Sequence, residues 1–338
     1  MRDTILYDSA MRLFGDLVTQ EVSADTERGA RPDRLWQAVE AAGYPNVLAE
    51  GASGMVEAAT ILRAAGHHAA PIPLAETMLA RWLCAACGIE APAGALTIGP
   101  VEPEDRLDIA EAAVSGHAGH IPWGREAAAV VLIASNTLLV VAQGGATFIP
   151  GKNLAGEPRD HLGAVEPGGR SAPLPDAVDR RRVQRFGALF RAAQMAGAME
   201  AALALSTRYA NDRVQFGRPI AKFQAIQQQL ALLAEQAAAA SVAVESAAIA
   251  VAAGRPSSAL AVAAAKIRAG VAAGKVAEIA HQVHGAIGFT HEHSLHRLTR
   301  RLWSWRDEFG TESHWSRELG RAVMTAGADA LWPTITAG

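Results

Sequence analysis

Along the chain, apolar positions recur at helical spacing in two long stretches. Between them lies a stretch where they bunch into short runs. In the first stretch, Asp8–Val18 places apolar residues three and four apart, the period of an amphipathic helix. Asp33–Gly43 opens on a capping residue and stops on glycine, and Gly54–Gly66 repeats the pattern. Pro71 and Pro73 then break the chain before a fourth helical run, Pro73–Cys87. From about Ile89 to Val178 most of the prolines appear, with β-like runs at Ala95–Ile98, Ala127–Ala134, Thr137–Ala142 and Ala146–Pro150. The second and third flank Ser135-Asn136 and predict a hairpin; the set predicts a small, antiparallel β domain. Gly168–Pro175 reads as a linker. Beyond Asp179, helices are predicted over Arg182–Asn211, Pro219–Ala253 and Ser257–His284, with another around His314–Met324. Pro219 and Pro256 fall at helix starts, and Gly254 at a helix end. Long helices with short joints pack antiparallel, so this stretch predicts a bundle. The expected fold is mainly α with a small middle β domain: an N-terminal helical domain over 1–88, a short β domain over 89–178 and a C-terminal helical bundle over 179–338.

Composition supports a globular reading. Of 338 residues, 50% are hydrophobic, mostly Ala, Leu and Val, and only 5% are aromatic. Charged residues make up 19% and the net charge is −3, which excludes a basic nucleic-acid footprint and a polybasic membrane surface. Disordered, collagen-like and disulfide-stapled classes are excluded as well. The two cysteines, Cys84 and Cys87, form one CxxC spacing near a helix end; a structural zinc site needs two such pairs, so they read as small apolar side chains. The N-terminal run carries charges and lacks a continuous apolar segment, and the apolar stretches are interrupted by Lys, Arg or Glu. No leader and no membrane span are expected, and the cytoplasm is the expected compartment.

Candidate chemistry is sparse. His281, His284, His291, His293 and His296 crowd together, but their spacing matches no zinc signature and no metal is expected. Arg180-Arg-Arg182 with Arg185, and Arg300-Arg301 with Arg306, form basic clusters. Each reads as a solvated face or as a contact to phosphates, which helix N-termini also bind. Dinucleotide, Walker and nucleophile-elbow motifs are missing. What stands out is the pair of runs Arg208–Ala231 and His281–His293, the second followed by Asp307-Glu-Phe-Gly-Thr311. From the residues alone, both are turns between bundle helices, with small residues that permit a close backbone approach.

These runs resemble the acyl-CoA dehydrogenase family. Its Arg-x-x-Phe-Gly-x-x-Ile turn stands here as Arg213-Val-Gln-Phe-Gly-Arg-Pro-Ile220, followed by Phe223-Gln224. Its Gln-x-x-Gly-Gly-x-Gly-Phe stands as Gln282-Val-His-Gly-Ala-Ile-Gly-Phe289. The resemblance implies the family fold, with a C-terminal four-helix bundle, and α,β-dehydrogenation of an acyl-CoA thioester with FAD as cofactor. It implies that Arg213, Gln215, Phe216, Phe223 and Gln224 contact the FAD of a neighbouring subunit. Gln282, Gly285 and Ala286 would line its pyrophosphate and adenosine, with Thr311 and Ser313 near the cofactor. An electron-transfer flavoprotein is the implied redox partner.

Two departures bear on activity. Where the family carries Thr-Glu-Pro-x-Ala-Gly-Ser-Asp, this chain reads Leu96–Leu107 within a short middle domain. The family's catalytic glutamate directly precedes Gly-Thr; here that position is Phe309, and the alternative base position on an earlier helix falls at Gly187. Glu308, one residue away, is the candidate base within this chain. The pattern resembles the small subunits of α2β2 family members, including those acting on steroid side chains, in which one subunit supplies the base. The alternatives are a self-sufficient homo-oligomer using Glu308 and a non-catalytic helical binding or structural subunit.

Overall fold

The computed structural model describes residues 4–49, 51–110, 113–134 and 136–336. Five helices come first: α1 (Thr4–Leu17), α2 (Gln20–Glu27), α3 (Asp33–Ala41), α4 (Met55–His67) and α5 (Leu74–Ala86). Nine strands follow: β1 (Leu96–Gly99), β2 (Arg106–Ala110), β3 (Ala113–His117), β4 (Ile121–Pro122), β5 (Ala129–Ala134), β6 (Thr137–Ala142), β7 (Ala146–Ile149), β8 (Arg159–Val165) and β9 (Arg170–Pro173). The remainder is α6 (Arg180–Asp212), the hairpin β10 (Val214–Gln215) and β11 (Arg218–Pro219), then α7 (Gln224–Ala252), α8 (Ser258–His284), α9 (Leu295–Trp305), α10 (Glu312–Ala326) and α11 (Ala328–Thr336).

The main sheet runs β1-β5-β6-β9. The predicted hairpin is present, with Ala134 opposite Thr137 across the antiparallel β5–β6 pair; Ser135 lies outside the described residues. The β domain is not antiparallel throughout, because β1 runs parallel to β5. Alternation along β5 feeds two cores. Val131 and Ile133 join the large apolar cluster shared with both sets of helices, while Val130 and Leu132 join a smaller one with Leu107, Ile121 and Val141. The stretch read as a linker, Gly168–Pro175, instead supplies β9, whose backbone pairs with the edge of β6. Pro219 ends the β10–β11 hairpin and caps a short 3-10 helix, Ile220–Lys222, so that α7 itself begins five residues after it.

Glycine sets how α4 meets α6. A Cβ at Gly66 would lie 2.0 Å from the Gln194 carbonyl oxygen, and one at Gly197 would lie 1.8 Å from that of Arg63. The two helices therefore touch backbone to backbone, which carries α5 and the sheet against the bundle. Helix α7 is long and apolar enough to cross a membrane by length and composition. In this fold its Leu233, Ala237, Ala240, Val244 and Ala248 are buried within the bundle.

Candidate active site

The turn between α9 and α10 carries both the candidate base and the family base position. Phe309 and Gly310 are consecutive left-handed residues, at φ 55° and 98°. A non-glycine residue there costs on the order of 1–3 kcal/mol and needs support from its surroundings. Trp315 Nε1 donates to the Phe309 carbonyl at 3.0 Å, and the buried Lys266 ammonium donates to the carbonyls of Gly310 and Arg306. Burial pushes Lys266 down to about 8, against the pull of Glu312 and Glu308.

Held in this way, the Phe309 ring lies on Gly187 of α6. A Cβ at Gly187 would meet three ring atoms at 2.2–2.6 Å. The two positions at which the sequence could have carried a base are thus neighbours in space, and one fills the room left by the other. Phe309 is 2% exposed, with the Arg191 guanidinium 5.6 Å from its ring centroid.

Glu308 points the other way, into a buried chain of alternating charge. Its Oε1 accepts from Arg159 Nε at 2.7 Å and from Asn153 Nδ2 at 3.2 Å, and its Oε2 from Arg191 Nε at 2.6 Å and Arg159 Nη2 at 3.1 Å. Arg191 continues to Glu76 of α5, and Arg159 to Glu157 at 3.0 Å. Glu157 is also held by Arg301 of α9 at 3.0 Å and by Trp305 Nε1 at 3.1 Å. Three carboxylates and three guanidiniums therefore share one interior site. Burial alone would raise the Glu308 carboxyl, but Arg159 and Arg191 outweigh it and hold it at about 2. Such a carboxylate is a poor proton acceptor at neutral pH, and both of its oxygens are occupied. The same balance of burial against opposite charge lowers Glu157 and raises Arg191.

The residues expected at the FAD form two groups. Arg213, Gln215 and Gln224 are exposed, Phe216 is 92% exposed, and the Phe216 ring meets Phe223 edge-on at 6.1 Å. Gln282, Gly285 and Ala286, also exposed, end α8 nearby. Tyr209 of α6 stacks on His284 of α8 at 4.7 Å and so joins the two helix ends. Thr311 and Ser313 sit elsewhere. Thr311 caps α10 by accepting from the His314 N–H at 3.2 Å, and Glu312 lies against Gly270 of α8. Gly270 and Gln282 are twelve residues apart, roughly 18 Å along a helix rising 1.5 Å per residue. One chain therefore presents the two groups at separate places.

The histidine cluster is aromatic packing: His281 stacks on Phe289 at 4.2 Å and His284 meets His293 edge-on at 4.6 Å. Burial lowers both His281 and His284. Among the described residues no group of three or more His, Cys, Asp or Glu side chains is placed to hold a metal ion. Cys84 is buried and Cys87 half-buried, and burial pushes the Cys84 thiol up to about 11. Arg301, read in sequence as part of a surface cluster, is instead buried on Glu157. Apart from Glu157 and Arg159, which are two residues apart, the partners of the interior ion chain lie 115–149 residues apart and carried no local sequence signal.

Residues 184–323 match the acyl-CoA dehydrogenase C-terminal domain. The chain is 33% identical over 270 residues to the acyl-CoA dehydrogenase IpdE2 of Mycobacterium tuberculosis, covering 76% of this chain and 74% of that protein. Over 85% of this chain and 91% of the Mycolicibacterium smegmatis IpdE2 the identity is 29%. A 40% match to the acryloyl-CoA reductase (NADH) of Anaerotignum propionicum is confined to 32% of this chain and spans only 27% of that protein. The fold superposes on a Tcur3481-Tcur3483 steroid ACAD variant with a TM-score of 0.85, covering 96% of this chain and 98% of that one at 23% identity. It superposes on the ChsE4-ChsE5 complex from Mycobacterium tuberculosis with a TM-score of 0.83, covering 96% and 98% at 21% identity. The chain belongs to the acyl-CoA dehydrogenase family.

Proposed function

We propose that this protein takes part in FAD-dependent α,β-dehydrogenation of an acyl-CoA thioester as a subunit whose partner supplies the catalytic base. The observation that carries this reading is the contact of Phe309 with Gly187, because neither residue can take a proton. Glu308 is a structural anchor, engaged by two arginines and held at about 2. The assembly in view is an α2β2 complex of two related subunits, a reading supported by the likeness in fold to complexes of two named chains. Electron-transfer flavoprotein is the proposed acceptor.

The residues toward the cofactor fit an extended diphosphate. Arg213 is exposed and offers a fork to phosphate, and Gly285, at φ 63°, turns the α8 end without a side chain. Gln215, Phe216, Phe223, Gln224, Gln282 and Ala286 stand around them, while Thr311 and Ser313 would meet the cofactor from the other chain. FAD, when bound, would accept the substrate's β-hydride.

Acyl-CoA added anaerobically to the purified chain alone is expected to leave the flavin absorbance unchanged, and added to the two-subunit complex to bleach it. Rapid bleaching by the chain alone would overturn the reading. Arg213→Ala should weaken FAD binding about tenfold or more, since one charge-assisted bond contributes roughly 1.5–3 kcal/mol.

A further inference from the structure

The end of the bundle away from Phe309 holds a cavity that neither the base position nor the proposed flavin contacts use. It measures about 400 Å³, within the roughly 300–1,000 Å³ of small-molecule sites. Four elements enclose it: the joint between α1 and α2, the end of α4, the second half of α6 and the first turn of α9. On α6 its lining begins at Ala201, fourteen residues and so about 21 Å from Gly187 at a rise of 1.5 Å per residue. None of the residues proposed to face FAD lines it.

Its polar groups are under-used. The Arg297 side chain of α9 is 13% exposed, and its Nε is buried without a hydrogen bond; Glu27 Oε1 stands 3.7 Å away, too far for one. Arg208 of α6 is exposed and, among the described residues, makes neither a hydrogen bond nor an ion pair. At the end of α4, His67 Nδ1 and His68 Nε2 are also buried without hydrogen-bond partners. Burial lowers His67; burial and the adjacent His67 push His68 down to about 4, against a bond to the Met11 backbone. Both rings are therefore neutral at pH 7, and the arginines are the cations that line the cavity. Ser294 caps α9 without a side-chain bond, and no acidic residue in that helix's first turn meets its dipole. Buried donors without acceptors are costly, and a fold keeps them where something else supplies the acceptor.

Charge and shape define what fits. Two arginines less the Glu27 carboxylate leave one net positive charge, which suits a monoanion better than a phosphate dianion. Much of the remaining wall is apolar, with Val18, Ala69, Leu205 and Leu298. We propose that the cavity binds a small aliphatic monocarboxylate, its carboxylate on Arg208 and Arg297 and its tail along Leu205 and Leu298. Guanidinium N–H groups pair with carboxylate oxygens in forks, and the α9 dipole adds to them. The inference goes beyond the dehydrogenase reading, since it needs neither flavin nor a base. A bound acid would join the α1–α2 joint to α6 and α9. It would also abut the interior ion chain, because Arg301 Nη1 donates to the Arg297 carbonyl at 3.2 Å and Arg301 holds Glu157.

Titration calorimetry of the full chain, in whatever assembly it forms, tests this with hexanoate, against acetate, hexanol and inorganic phosphate. Hexanoate is expected to bind at least tenfold tighter than each of the other three, and more weakly as salt screens the arginines. Arg297→Gln and Arg208→Gln should each weaken hexanoate by about tenfold or more. Arg208 is exposed and unpaired among the described residues, so a loss there would not come from unfolding. Arg181→Glu, at the other end of α6, should leave hexanoate affinity unchanged. No hexanoate binding at millimolar concentration would overturn the proposal. So would acetate, hexanol or phosphate binding as tightly as hexanoate, or full affinity in the Arg208→Gln variant.

Discussion

The interior ion chain and the cleft beside α6 use the same side chain to opposite ends. Arg159, Arg191 and Arg301 each face a glutamate and are at most 5% exposed. Arg106, Arg180, Arg181 and Arg185 line an open cleft, where Arg106 and Arg180 donate to backbone carbonyls and Asp105, Glu104 and Asp179 lie close enough to act on Arg180 and Arg185. Buried charges stand in a fold only when paired, whereas cations at an open cleft do not need a direct ion pair. The first set ties α5, α6, β8 and α9 together; the second lines an opening between α6, α8 and α10. Glu308 belongs wholly to the first set, which is why the proposed reading makes it an anchor despite its closeness in sequence to the family base position.

Breaking the interior set should have the largest effect. Glu308→Gln leaves three buried guanidiniums, Arg159, Arg191 and Arg301, facing only two carboxylates, Glu76 and Glu157, and an uncompensated buried charge costs about 3–5 kcal/mol. Urea unfolding of the purified chain reads this directly. If Glu308 were a free base in a cleft, stability would barely change.

Acid should act through the same residue. The folded Glu308 carboxyl lies at about 2, below the unfolded value of about 4.3. The folded form therefore binds fewer protons there, and the contribution of Glu308 is present above about pH 4.3 and is lost as pH falls toward 2. Glu157, also lowered, acts in the same direction. Melting temperature against pH should drop over that window, and Glu308→Gln should flatten the drop.

The sequence carried the helices well and the ion chain not at all. The long Ala-rich helices α6, α7 and α8 were legible because their apolar period runs for many turns and proline or glycine marks the joints. Helix α2 was missed because it buries no side chain and so leaves no apolar stripe. Helix α9 was missed because Arg297, Arg300 and Arg301 look solvated in sequence, although Arg301 is buried. The residues proposed to face FAD were legible as two local motifs, but their separation from Thr311 and Ser313 was not. That depends on where α10 crosses α8, which no local pattern encodes.

Gly187→Ala sharpens the other half of the site. The added methyl would lie within 2.6 Å of the Phe309 ring, and overpacking of this kind costs roughly 1–3 kcal/mol. Combining it with Phe309→Leu should recover much of the loss, which a double-mutant cycle in urea would show. Without coupling between the two substitutions, the packing described for the base position is wrong.

The smallest effect belongs to the cleft. Arg181→Glu replaces an exposed cation at the positive end of α6 by an anion and should stabilise the ligand-free protein by about 0.3–1 kcal/mol. Calorimetric melting at low salt is sensitive enough to see it. A decrease in stability would mean that Arg181 already has a counter-charge in the folded protein.

The central claim is that Glu308 holds the fold and does not move the substrate proton. Turnover of the assembled complex carrying Glu308→Gln, assayed below its melting transition, tests this most directly. The account predicts kcat within about threefold of the parent complex. A loss of about 10²–10⁴-fold in a complex that remains folded, the usual consequence of removing a general base, would contradict it.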